Sequence, residues 1–271
     1  MDIQEALDKS NIKPDPLKDQ FFLTDEKIAK KIIDFADLNK DDVVLEVGAG
    51  TGNLTAEIAK KANRVIAFEI DNKFRSFLSK LPKNVDVHYE NAWNYVQGRG
   101  KFRQKKEYNK VVSNPPYSFI EPFLHNLTFL EYDKVILLVP MRFLKKTAKW
   151  GIFGSFFKVK VLLEVPKEKF YPIPRTNSVV IDLIKLPDPI KTKNLGLFLR
   201  QYMYQHEQQL VKNSLMEGII KYARLVHSKE VTKNEARGIV EKSEMDKNLF
   251  EQHPNSPEIY GLVEEKFKVQ F

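Results

Sequence analysis

The chain has 271 residues, 44 of them Lys or Arg and 36 Asp or Glu, for a net charge of +8. Its 42% hydrophobic and 11% aromatic content excludes disorder throughout, and no run approaches the ~18 apolar residues of a membrane-spanning helix. There is no cysteine, which excludes disulfides, thiol nucleophiles and cysteine-held zinc and fits a reducing interior such as the cytoplasm.

The opening Met1–Glu5 is acidic and polar, and is expected not to be a secretory leader. Val43–Val47 predicts a strand, followed by a Gly-rich turn and an amphipathic stretch from Asn53 to Ala62. Further strands are predicted at Arg64–Glu69, Val85–Tyr89, Lys110–Ser113, Lys134–Val139, Lys158–Val165 and Ser178–Leu186, with helical patterns between. Such alternation predicts an α/β fold with a largely parallel sheet, and the last two strands, joined by a turn, imply an antiparallel edge. Pro187-Asp188-Pro189 reads as a breaker. Beyond it Phe198, Tyr202, Leu210 and Leu215 recur at helical spacing, which predicts a small all-α domain. The predicted domains are therefore 1–187 and 188–271.

The positive charge is unevenly spread. Lys134 to Leu163 holds seven basic residues and no acid, with Phe143, Trp150, Phe153, Phe156 and Phe157 interleaved. A second basic run occupies Arg99 to Lys106. Two such runs point to a phosphate backbone, with Arg142, Lys145, Lys146 and Lys149 as candidate RNA contacts. Solvated helix faces with core aromatics are the competing reading.

Glu46-Val47-Gly48-Ala49-Gly50-Thr51-Gly52 follows the first strand of the alternating series and opens a helix. Glycines there admit a ligand close to the backbone, and the helix start offers N–H groups. Glu69 closes the next strand, where a carboxylate can accept from two ribose hydroxyls. Asn53 stands where a dinucleotide fingerprint wants Gly or Ala. The run instead resembles motif I of class I S-adenosylmethionine-dependent methyltransferases, whose Rossmann-like sheet has seven strands.

Strand Lys110–Ser113 leads into Asn114-Pro115-Pro116-Tyr117, at the sheet edge where α/β ligands bind. An exocyclic adenine amine is a poor nucleophile, because its lone pair is delocalised into the ring. The Asn114 side-chain carbonyl and the Pro115 backbone carbonyl can both accept from it, exposing the lone pair to a methyl donor. Tyr117 offers a face for an extruded base. The five histidines show no metal-ligand spacing, so no metal is expected.

Three further segments resemble the KsgA/Erm family of rRNA adenine N6-dimethyltransferases: Asp19-Gln20-Phe21-Phe22-Leu23-Thr24-Asp25, Phe170-Tyr171-Pro172-Ile173-Pro174-Arg175-Thr176-Asn177-Ser178, and Gln205 to Leu215. The resemblance implies dimethylation of adenine N6 in small-subunit rRNA during ribosome biogenesis, with S-adenosyl-L-methionine as methyl donor and a cytoplasmic, monomeric enzyme. Residues 1–40 would then cover the cofactor. Gln20, Phe21 and Leu23 would line its methionine end, Gly48 and Gly50 its turn, Glu69 its ribose and Asn91 its adenine. Asn114, Pro115 and Tyr117 would handle the target base, Asn114 also contacting the cofactor, with Phe170 stacking on the base's other face. Departures from the family pattern are Pro115 in place of Leu or Ile, Asn91 in place of Asp, and Asp19 in place of Gly. They leave open an Erm-like large-subunit or DNA adenine target, and a non-catalytic ribosome-assembly factor that keeps the fold.

Overall fold

A computed structural model of the chain describes residues 3–97, 107–128, 130, 132–147, 155–254 and 257–268. It divides into two compact units, one comprising 1–143 and 159–184, the other 144–158 and 185–271.

The first unit is built on a seven-stranded sheet. Its strands are β2 (Val43–Val47), β3 (Arg64–Phe68), β4 (Val85–His88), β5 (Lys110–Ser113), β6 (Lys134–Pro140), β7 (Phe157–Val165) and β9 (Ser178–Lys185), in the order β4-β3-β2-β5-β6-β9-β7. The β4-β3, β3-β2, β2-β5 and β5-β6 pairs are parallel, and β9 is antiparallel to β6. The sheet matches the predicted one strand for strand. β2 and β6 are buried along nearly their whole length, as expected of central strands covered on both faces. The strand order reverses between β2 and β5, which opens a crevice at their carboxyl ends.

Sequence periodicity gave no sign of a second, two-stranded sheet, because each strand has only two residues. In it β1 (Phe22–Leu23) runs antiparallel to β8 (Phe170–Tyr171), with Phe22 opposite Tyr171 and Leu23 opposite Phe170. Helix α2 (Glu26–Ala36) follows β1 and buries Ala29, Ile32, Ile33 and Ala36 on one stripe. Its N-cap, Asp25, accepts from the Lys27 and Ile28 N–H groups and pairs with Lys169 at 2.8 Å. The two family-like segments, far apart in sequence, are thus joined by backbone and by charge.

The second unit is helical. Leu195–Gln205, Val211–His227, Lys233–Lys242 and Pro257–Lys266 enclose a core that includes Leu199, Met203, Leu215, Ile219, Tyr222 and Val263. Close packing depends on Gly196 and Gly218, where an added methyl would lie 2.7 Å from the Glu264 carbonyl oxygen and from Leu199 respectively. The chain enters this unit twice, over Leu144–Lys158 and from Lys185 onward, whereas the sequence draws a single boundary at 187. The earlier passage is held by Phe156, whose carbonyl accepts from the Leu186 N–H at 2.8 Å and whose ring meets Tyr204 edge-on.

Candidate active site

Four loops at the carboxyl ends of β2, β3, β4 and β5 surround a cavity of about 990 Å³. Gly48, Gly50, Glu69, Asn91, Asn114, Gln20 and Phe21 all line it, so seven of the residues singled out from sequence converge on one space.

The Gly-rich turn is pinned from beneath. The Gly48 and Ala49 N–H groups donate to the Phe68 carbonyl at 2.8 and 3.0 Å. Gly48, Gly50 and Gly52 have φ of +81°, +55° and +80°, a region closed to most side chains. Neighbours also leave no room: a Cβ on Gly50 would lie 2.7 Å from the Phe22 ring, and one on Gly48 3.0 Å from Pro116.

Glu69 is 8% exposed. Its Oε2 accepts from the Gly50 N–H and its Oε1 from the Asp71 N–H, each at 2.8 Å. Burial raises its pKa, while those two N–H groups act the other way. Each oxygen keeps a further lone pair for a ligand hydroxyl.

Asn91 forms a local turn in which its Oδ1 accepts from the Trp93 N–H at 2.9 Å. That bond orients the amide so that Nδ2 is the group left to donate. Trp93 and Phe119, which sequence reasoning missed, form part of the same wall and meet edge to face. The signal for Trp93 was its position two residues after Asn91; nothing local marked Phe119.

Asn114 ends β5. The neighbouring Ser113 hydroxyl donates to the Val47 carbonyl at 2.6 Å and accepts from the Val47 N–H, which locks this strand end to β2. Asn114, which lines the cavity, donates from Nδ2 to the Phe21 carbonyl at 3.2 Å, so that Oδ1 is left as an acceptor. Pro115 is buried and Tyr117 half-buried. The Arg142 guanidinium lies over the Tyr117 ring, 4.9 Å from its centre. Burial raises the pKa of the Tyr117 phenol, Arg142 opposing and Asp19 reinforcing.

The segment before β1 crosses this site as a strap. Gln20 donates to Asp71 at 3.0 Å, and its carbonyl accepts from Lys73 Nζ and from the Asp15 N–H, each at 2.8 Å. Asp71, held below the usual carboxylate range because Gln20 and Lys73 outweigh its burial, was not identified from sequence. Its spacing two residues after Glu69 was the available clue.

Phe170 and Leu23 take other positions. They face each other across the β1–β8 pair, are 4% and 8% exposed, and belong to the hydrophobic core, with neither lining the large cavity. Phe143, Phe156 and Phe157 are also buried, so these aromatics pack cores and do not offer base-stacking surfaces. Lys149 and the Arg99–Lys106 run lie outside the described residues, as do the side chains of Lys145 and Lys146. Lys134 and Lys160 both act on the Asp182 carboxyl, which burial nonetheless pushes up. The stretch that is acid-free in sequence therefore has an acid beside it in space.

Among the described residues no group of acids and histidines could hold a metal ion, and no helix is long and apolar enough to cross a membrane. A seven-stranded sheet with one reversed strand, a glycine turn after β2 and an acid after β3 define a class I methyltransferase fold. The family model for ribosomal RNA adenine dimethylase matches residues 17–260, and the chain belongs to that family. It is 31% identical to the "probable ribosomal RNA small subunit methyltransferase A" of Pyrococcus abyssi, over 78% of this chain and 79% of that one. It is 34% identical to ribosomal RNA small subunit methyltransferase A of Thermotoga neapolitana, over 72% and 77%. The crystal structure of a dimethyladenosine transferase from Plasmodium falciparum shares the fold, with a TM-score of 0.58 and 19% identity over 89% of this chain and 95% of that one.

Proposed function

We propose that this protein methylates the N6 amine of adenine in small-subunit rRNA during ribosome biogenesis, with S-adenosyl-L-methionine as methyl donor, acting as a cytoplasmic monomer. The observation that carries the reading is the orientation of Asn114: its nitrogen is committed to the Phe21 carbonyl and its oxygen left to accept from an amine.

The residues present fit the donor. Glu69 is rigidly held yet retains acceptor capacity for vicinal hydroxyls, and an added methyl on Gly48 or Gly50 would strike Pro116 or Phe22. Asn91 Nδ2 can donate to a ring nitrogen of adenine. When bound, S-adenosylmethionine supplies a methyl group made electrophilic by its sulfonium. Asn114 Oδ1 holds the target amine and draws its lone pair out of conjugation with the ring. Tyr117 would offer a ring face to the target base, and Arg142, 4.9 Å from the centre of that ring, would bring positive charge to a nucleotide phosphate. No covalent bond to the protein is required, and positioning accounts for most of the rate.

The test uses the protein with radiolabelled methyl donor and three substrates: small subunits lacking the modification, large subunits and duplex DNA. Label in N6-methylated or N6,N6-dimethylated adenosine from small subunits alone is the expected result. Label only in large subunits or DNA, or subunit binding with no label, would overturn it.

A further inference from the structure

The helix that begins at Tyr117 (α6, Tyr117–Leu127) has an N-terminus without a side-chain cap of its own, because its cap position is Pro116. The first N–H groups of a helix have no partner within it, and proline has no side-chain oxygen to offer them. The Pro116 backbone carbonyl accepts from the Phe119 N–H at 2.9 Å, which leaves the Tyr117 N–H to find an acceptor elsewhere. The missing acceptor comes from 98 residues earlier in the chain: Asp19 Oδ2 accepts from the Tyr117 N–H at 3.0 Å. A carboxylate there also complements the positive end of the helix dipole.

Asp19 is held for this task at some cost. Its φ is +56°, left-handed backbone that glycine adopts more readily and that Asn and Asp tolerate better than other side chains. Just after it the strap is fastened independently, by Gln20 to Asp71 and Lys73, and by the Phe21 carbonyl to Asn114. Asp19 thus joins the strap to Tyr117, the residue after the Asn-Pro-Pro turn.

We propose that Asp19 is a positioning residue for methyl transfer: as a cap supplied by the strap, it sets the start of the Tyr117 helix and so the placement of Tyr117 against the target base. This rests on the adenine-methylation reading above. The strap is tied through Gln20 to Asp71 and Lys73 after β3 and through Asp19 to the loop after β5, so the donor side and the target-base loop meet one short segment.

Two substitutions separate the acceptor from the backbone. Asp19→Gly keeps the left-handed turn and removes the acceptor, whereas Asp19→Asn keeps both a side-chain oxygen and tolerance of that backbone. Amide hydrogen exchange at Tyr117 reads the latch without reference to activity. Turnover on small-subunit rRNA and calorimetric donor affinity read its consequence. Asp19→Gly is expected to speed Tyr117 exchange roughly tenfold and to lower kcat roughly tenfold, with donor Kd within about twofold of wild type. Asp19→Asn is expected to restore both exchange and kcat to within about threefold of wild type. Unchanged Tyr117 exchange in Asp19→Gly would overturn the latch. Faster exchange with unchanged kcat, or an Asp19→Asn variant as slow as Asp19→Gly, would overturn the positioning role. No turnover by the wild-type protein would overturn the methylation reading and the positioning role with it, whatever the exchange showed.

Discussion

The side-chain amide of Asn114 donates to the backbone carbonyl of Phe21 at 3.2 Å. This one bond sets which end of the amide is nitrogen and ties the residue proposed to hold the target amine to the strap before β1. Oδ1 is then the acceptor that Asn114 has to offer a substrate amine.

Replacement of Asn114 by Ala removes that acceptor and leaves the glycine turn and Glu69 in place. Removing a preorganised polar contact to the reacting group typically costs about 10²–10³ in kcat. The expected outcome for Asn114→Ala is a loss of about that size, with donor Kd within roughly threefold of wild type, since the proposed donor contacts at Glu69 and Asn91 are untouched. Nucleoside analysis and titration calorimetry measure the two quantities. Undiminished turnover would rule out amine orientation by Asn114.

Glu69 combines low exposure with a raised pKa, so its charge is held against desolvation by the Gly50 and Asp71 N–H groups. Glu69→Gln keeps the shape but turns one carboxylate oxygen into an NH2 that cannot accept from the Gly50 or Asp71 N–H, and hydrogen bonds to a charged group contribute about 1.5–3 kcal/mol. Donor affinity is expected to fall roughly tenfold to a hundredfold. Thermal stability should change little, because relief of the carboxylate's desolvation is offset by the backbone N–H left without an acceptor. Parallel calorimetry and thermal melts check the pair of outcomes; a matched loss of both would point to a structural role.

The seven-stranded sheet was legible because its strands are continuous apolar runs punctuated by Gly and Pro, and central parallel strands carry that signal most strongly. The converging site was legible for a related reason: Gly48, Glu69, Asn91 and Asn114 each stand at or just beyond the end of a predicted strand, so topology brings them together. What sequence could not supply was tertiary pairing. β1 and β8 are too short to produce periodicity, and nothing local marks Phe170 as the partner of Leu23 instead of a base-stacking platform. The Asp19–Tyr117 bond is hidden likewise: an acid in the position of a glycine reads as a departure until its acceptor finds an N–H across the fold. Charge was misleading for the same reason, since Asp182 meets Lys134 and Lys160 only once the strands pair.

Gly50 permits a close approach as well as a positive φ. An added methyl would sit 2.7 Å from Phe22 Cε1, closer than real Cβ atoms come, on backbone at φ +55°. The left-handed conformation costs an L residue about 1–2 kcal/mol, and the overlap adds to it. Gly50→Ala is expected to destabilise by at least that much. In the double variant Gly50→Ala/Phe22→Leu only the overlap is relieved, so the loss should be smaller than the sum of the single effects by about 0.5–2 kcal/mol. Urea unfolding of the four proteins measures the cycle, and additive losses would mean that the ring moves aside without penalty.

Glu46, in the strand below the glycine turn, is 1% exposed, and its Oε2 finds no hydrogen-bond partner among the described residues. Burial pushes its carboxyl up to about 8, opposed by the Thr55 hydroxyl and reinforced by the charge of Glu69. Below the ordinary value of 4.5 both folded and unfolded chains carry the proton, and this group makes stability independent of pH. Between 4.5 and about 8 the folded chain keeps the proton that the unfolded chain has released, so stability falls as pH rises. Above that window both forms are ionised and the full cost of a buried charge persists. Glu46→Gln removes the titration while keeping the shape. Its stability relative to wild type is therefore expected to climb across the window and level off above it, by several kcal/mol at ~1.4 kcal/mol per pKa unit. Urea titrations of both proteins at a series of pH values spanning the window test this. A difference that stays constant with pH would show that Glu46 is already ionised in the folded protein at the acid end of the range.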